Sequence, residues 1–121
     1  MVRKSSVVLL LVLLAGSGAG AGEADIVDAR ATRTGESWRF DVTVRHDDTG
    51  WDHYADKWEV LAPDGTVLGT RVLLHPHENE QPFTRSLTGV ELPDGIDTVI
   101  IRAHDSVDGY GGLEHTLELP R

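Results

Sequence analysis

Hydrophobic residues in this chain recur at every second position. Trp38, Phe40, Val42 and Val44 alternate with Arg39, Asp41, Thr43 and Arg45, which predicts a strand with one buried face. Val99, Ile101 and Ala103 against Arg102 and His104 predict another, and Leu113, Leu117 and Leu119 against Glu114, Thr116 and Glu118 a third. Trp58 and Val60 lead into Ala62-Pro63-Asp64-Gly65 and then Thr66 to Leu74, a hairpin by its turn residues. Ile26 to Thr32 and Phe83 to Leu92 complete the set, and Pro93-Asp94-Gly95 repeats the turn chemistry. No stretch sustains helical spacing.

Seven short strands with steadily spaced turns predict an all-β fold, a seven-stranded antiparallel β-sandwich. The stretch Leu87-Thr88-Gly89-Val90-Glu91-Leu92-Pro93-Asp94-Gly95, followed by Val99-Ile100-Ile101-Arg102-Ala103, resembles the E–F region of fibronectin type III modules. That resemblance covers about a third of the domain and implies an immunoglobulin-like or fibronectin type III-like sandwich. The chain lacks the tyrosine usual at that corner, and a fold-level likeness implies no function. The segment His75-Pro76-His77, with Glu80-Gln81-Pro82-Phe83-Thr84-Arg85-Ser86, resembles small uncharacterised exported bacterial proteins; no activity comes with it.

Residues 1–21 stand apart from this alternation. Arg3 and Lys4 precede the unbroken aliphatic run Val7 to Leu14, and small residues follow, ending in Ala19-Gly20-Ala21. This is the layout of a secretory signal peptide, with a run too short to span a bilayer comfortably. With no cysteine beside the cleavage point, a lipoprotein anchor is not expected. The expectation is an exported domain of residues 22–121, periplasmic or secreted, monomeric and not membrane-embedded. Loss of Arg3 and Lys4 moves the formal net charge from −9 to −11, which disfavours nucleic acid and anionic lipid as partners. The only methionine is Met1 and cysteine is absent, so the mature domain offers no soft sulfur ligand.

Strand parity gathers the chemistry at one end. Successive antiparallel strands put Asp47–Lys57, His75–Pro82 and Asp105–Gly112 on the same side, where sandwiches place recognition loops. These segments and their flanks hold His46, His53, His75, His77 and His104. In extended backbone His75 and His77 point the same way, and Pro76 restricts the segment. His75, His77 and His104, with His53 as fourth ligand, are therefore the candidate metal set. Nitrogen ligands without sulfur favour Cu(II), Zn(II) or Ni(II) as the bound ion. Asp105 and Arg85 both fall in the inward phase of their strands and are expected to pair with each other beneath the loops. His115 shares the phase of Leu113 and Leu117 and is expected to face the core; His46 shares the phase of Val42 and Val44, at the rim.

Other chemistry is less well supported. Asp48-Thr49-Gly50 matches the triplet of aspartic proteases, but it occurs once and in a polar setting. The same acidic loop puts Gly50 where an EF-hand needs an oxygen ligand. Ser86, Ser106, His104 and Asp105 come without a nucleophile elbow or oxyanion signature, so no enzyme activity is expected. No organic cofactor is implied. The alternative to metal is a protein- or glycan-binding module in which Trp51, Tyr54 and Tyr110 make the contacts.

Overall fold

Along β2 (Ser37–Arg45) Trp38, Phe40, Val42 and Val44 are all buried, as alternation requires. A computed structural model describes residues 22–120; the expected signal peptide, residues 1–21, lies outside them. The remaining strands are β1 (Asp25–Thr34), β3 (Ala55–Leu61), β4 (Val67–Val72), β5 (Phe83–Val90), β6 (Thr98–Asp105) and β7 (His115–Glu118). They form two antiparallel sheets in the orders β1-β2-β5 and β4-β3-β6-β7. The architecture is the expected seven-stranded β-sandwich, with no helix among the described residues.

Trp58, Phe40, Phe83, Ile101, Val42, Val44, Val60 and Val99 fill the space between the sheets. Leu117 is partly buried and packs on that core. Leu113 departs from expectation and is 66% exposed. Its backbone is used by the N-terminal segment instead: its carbonyl accepts from Ile26 N at 2.9 Å and its amide donates to Asp25 Oδ1 at 2.7 Å. The final strand therefore begins only at His115, which pairs opposite Ile101 and is partly buried.

Strand parity gathers the three long loops as expected. Tyr54 and Ser106 bond across two of them, and Asp48 Oδ2 accepts from His77 N across another pair. At this end one ionic side chain, Asp105, is as fully buried as the largest core residues.

Candidate metal centre

Asp105 is buried because β6 alternates strictly, with Val99, Ile101, Ala103 and Asp105 all inward. A buried carboxylate is costly unless its lone pairs are engaged. Its Oδ1 accepts from the backbone N–H groups of Val107 and Asp108, at 2.8 and 2.5 Å. That leaves Oδ2 facing two imidazoles, His46 Nε2 at 3.0 Å and His53 Nε2 at 3.2 Å. Burial pushes the carboxyl up, but the two amides and His53 outweigh it and hold it below its ordinary value.

His46 ends the inward phase of β2 and is buried. Its Nδ1 lies 2.6 Å from Asp48 Oδ1, and Asp48 also accepts from Ala55 N at 3.0 Å and His77 N at 2.7 Å. A histidine whose Nδ1–H is donated to a carboxylate presents Nε2 as a lone pair. Here Nε2 faces two more acceptors, Asp105 Oδ2 and, at 2.9 Å, the Gly22 carbonyl. A neutral imidazole has a single N–H, so with Nδ1 on Asp48 its Nε2 lone pair is left facing oxygens, an arrangement that a cation between Nε2 and those oxygens would satisfy.

His53 repeats the pattern. Its Nε2 faces three acceptors: Gly22 O at 3.2 Å, Asp105 Oδ2 at 3.2 Å and Asp108 Oδ2 at 3.3 Å. Partial burial opposes charge on this ring, yet Asp105, Gly22 and Asp108 together raise it above its ordinary value. The two rings meet edge to face with centres 4.8 Å apart. His46, His53 and Asp105 each offer an atom within 4.8 Å of the others, and Gly22 adds a backbone oxygen. Two nitrogens and two oxygens suit a borderline divalent ion.

The Gly22 carbonyl is held in place by a strap, residues 22–26, packed on the β6–β7 loop. A Cβ on Gly112 would collide with the Ala24 carbonyl, so only glycine permits this approach.

Of the four expected ligands, the described structure brings only His53 into this cluster. His104 lies between inward Ala103 and inward Asp105, so it projects from the outer face, where its Nδ1 meets Asp56 Oδ1 at 2.6 Å. His75 and His77 form a pair of their own, ring centres 4.7 Å apart. The expected Arg85–Asp105 pair is corrected: Arg85 reaches Glu80 at 3.0 Å, and Asp105 is engaged by histidines. Arg85 is only partly buried, so its charge finds a partner at the surface. Among the aromatics, Trp51 is 66% exposed and meets Tyr54 edge to face, while the guanidinium of Arg102 sits 3.9 Å over the Tyr110 ring. Sequence reasoning missed His46 and Asp105 as direct donors, although both stood in the inward phase. No sequence signal marks the Gly22 carbonyl.

No protein-family model matches this chain. Over 91 residues it is 47% identical to a "Putative lipoprotein" of Halomicrobium mukohataei, a match covering 74% of this chain and 44% of that protein. The chain thus spans less than half the length of that relative. Among solved structures, the fold resembles a hypothetical protein from Pyrococcus horikoshii, with a TM-score of 0.56 at 14% identity over 84% of this chain and 94% of the other. A superoxide reductase from Giardia intestinalis gives a TM-score of 0.47 at 14% identity, over 78% and 99% of the two chains.

Proposed function

We propose that this chain is an exported domain that binds one divalent transition-metal ion, Cu(II), Zn(II) or Ni(II), as a carrier, sensor or accessory domain. The ligands are His46 Nε2, His53 Nε2 and Asp105 Oδ2, with the Gly22 carbonyl as a fourth donor. The observation that carries this reading is the His46 ring, whose every polar neighbour is an acceptor. A cation between Nε2 and those oxygens resolves the arrangement, and Asp48 then orients the ring as carboxylates do for metal-bound imidazoles. Asp48, Asp105 and Asp108 surround two imidazoles, so a divalent ion also balances local charge. His53, 28% exposed at its side chain, gives the ion a route from solvent.

Export is supported by the N-terminal charge-and-aliphatic pattern and by the lipoprotein name of the relative. No helix among the described residues is long and apolar enough to cross a membrane. An immunoglobulin-like or fibronectin type III-like kinship of the sandwich is part of the same proposal, supported by the strand orders β1-β2-β5 and β4-β3-β6-β7.

Calorimetric titration of the full chain with Zn(II), Cu(II) and Ni(II) at pH 7.5 tests the proposal. Binding tighter than about 10 μM, abolished by His53→Ala, is the expected result; no binding of any of the three refutes it. A second reading, a protein- or glycan-binding module, is favoured by the exposure of Trp51 beside Tyr54. It moves to the front if metal binding fails.

A further inference from the structure

His77 has the least explained environment at this end of the sandwich. Its residue is only 6% exposed, yet neither Nδ1 nor Nε2 has a hydrogen-bond partner. Buried polar atoms are rarely left in that state, because the lost hydration is not replaced. The fold nevertheless fixes the ring firmly. Phe83 stacks on it with centres 4.0 Å apart and planes 10° from parallel. Asp48 Oδ2 accepts its backbone N–H, and Gln81 Nε2 donates to its carbonyl at 2.9 Å.

A second imidazole stands beside it. The His75 ring is exposed to solvent and its centre lies 4.7 Å from that of His77, close to the 4.8 Å between His46 and His53. Two imidazoles bound to one ion at about 2.0–2.1 Å have ring centres about 5 Å apart. Pro76 limits the backbone between them, so little ordering is needed to bring both nitrogens to one ion. The nearby Arg85 charge is met by Glu80.

We propose that His75 and His77 form a second position for a divalent transition-metal ion, separate from the His46–His53–Asp105 centre. His77 supplies a fixed, dry nitrogen and His75 closes from the solvent side. The other coordination positions stay open to water or to a ligand on a partner, which makes this the weaker and more exchangeable of the two. Asp48 stands between the positions, one oxygen on the His46 ring and the other on the His77 amide.

Titration of the full chain with Zn(II), followed through imidazole nitrogen resonances, tests the proposal. The expected result is a tight equivalent that shifts His46 and His53 and a weaker one that shifts His75 and His77. His75→Ala, a change at an exposed side chain, should remove the weaker equivalent alone, and His53→Ala the tighter alone. A single equivalent insensitive to His75→Ala overturns the proposal, as does a second equivalent that survives both His75→Ala and His77→Phe. A single equivalent abolished by His75→Ala but not by His53→Ala upholds this position while refuting the first.

Discussion

His46 Nε2 and Asp105 Oδ2 approach to 3.0 Å between the sheets, both side chains shielded from solvent. His46 directly follows β2 and Asp105 is the last residue of β6, one from each sheet, so the contact ties the two sheets together at the loop end. On the far side of the same imidazole, Asp48 lies 2.6 Å from Nδ1. This imidazole is thus held between two carboxylates, the setting in which a bound cation would be shared by Nε2 and Asp105.

Asp105→Asn keeps the shape of the side chain and removes its charge. It leaves His46 and His53 without their shared anion, and breaking a buried ionic contact from one side costs about 3–5 kcal/mol. Chemical denaturation should show a loss of that order, and divalent metal binding should disappear with it. A variant as stable as the wild type would mean that Asp105 is not paired with these rings.

His53 and His77 make stability depend on pH in opposite senses. Partial burial lowers His53, but Asp105, Gly22 and Asp108 raise it more. Burial lowers His77, with Arg85 and His75 adding to the effect. A raised imidazole contributes fully below about pH 6.5 and loses its contribution as pH rises through the folded value. A depressed one contributes above about 6.5 and loses its contribution as pH falls toward the folded value. Metal-free protein should therefore lose stability on both sides, the alkaline loss removed by His53→Ala and the acid loss by His77→Phe. Excess Zn(II) should reverse the alkaline limb, because metal binds the neutral ring. An alkaline loss that persists in Zn(II) would exclude His53 as a ligand.

The strands were legible because period-two alternation is written directly in β2 and β6. The gathering of loops at one end followed from strand parity alone. The site was only half legible. The same alternation that put Ala103 inward also put Asp105 inward and His104 outward, but alternation says which face a side chain takes and not which side chains of the facing sheet it meets. His75 and His77 stood out by spacing, which does not reveal that Asp48 separates them from His46. The Gly22 carbonyl had no signal, since a backbone oxygen is available at any residue and only the strap against Gly112 places it.

Gly112→Ala tests that strap. A Cβ there meets the Ala24 carbonyl, so residues 22–26 must shift and carry the Gly22 oxygen away from the imidazoles. Metal affinity should fall on the order of tenfold, the usual effect of disturbing a supporting group. The sheets should survive, as circular dichroism would show. Unchanged affinity would remove Gly22 from the ligand set.

Trp38→Ala tests the core at the opposite end. Trp38 is 5% exposed, and truncation of a large buried aromatic costs about 3–5 kcal/mol. Denaturation of the variant should register that loss without altering metal affinity. A loss below about 1 kcal/mol would mean the indole is not packed as described.

The most direct measurement is anomalous diffraction from crystals of the full chain grown with Zn(II), recorded on either side of the zinc edge. The His46–His53–Asp105 centre predicts a peak within about 2.0–2.2 Å of His46 Nε2, His53 Nε2 and Asp105 Oδ2. No zinc peak among these three side chains, with the two histidines still bonded to Asp105, would contradict it.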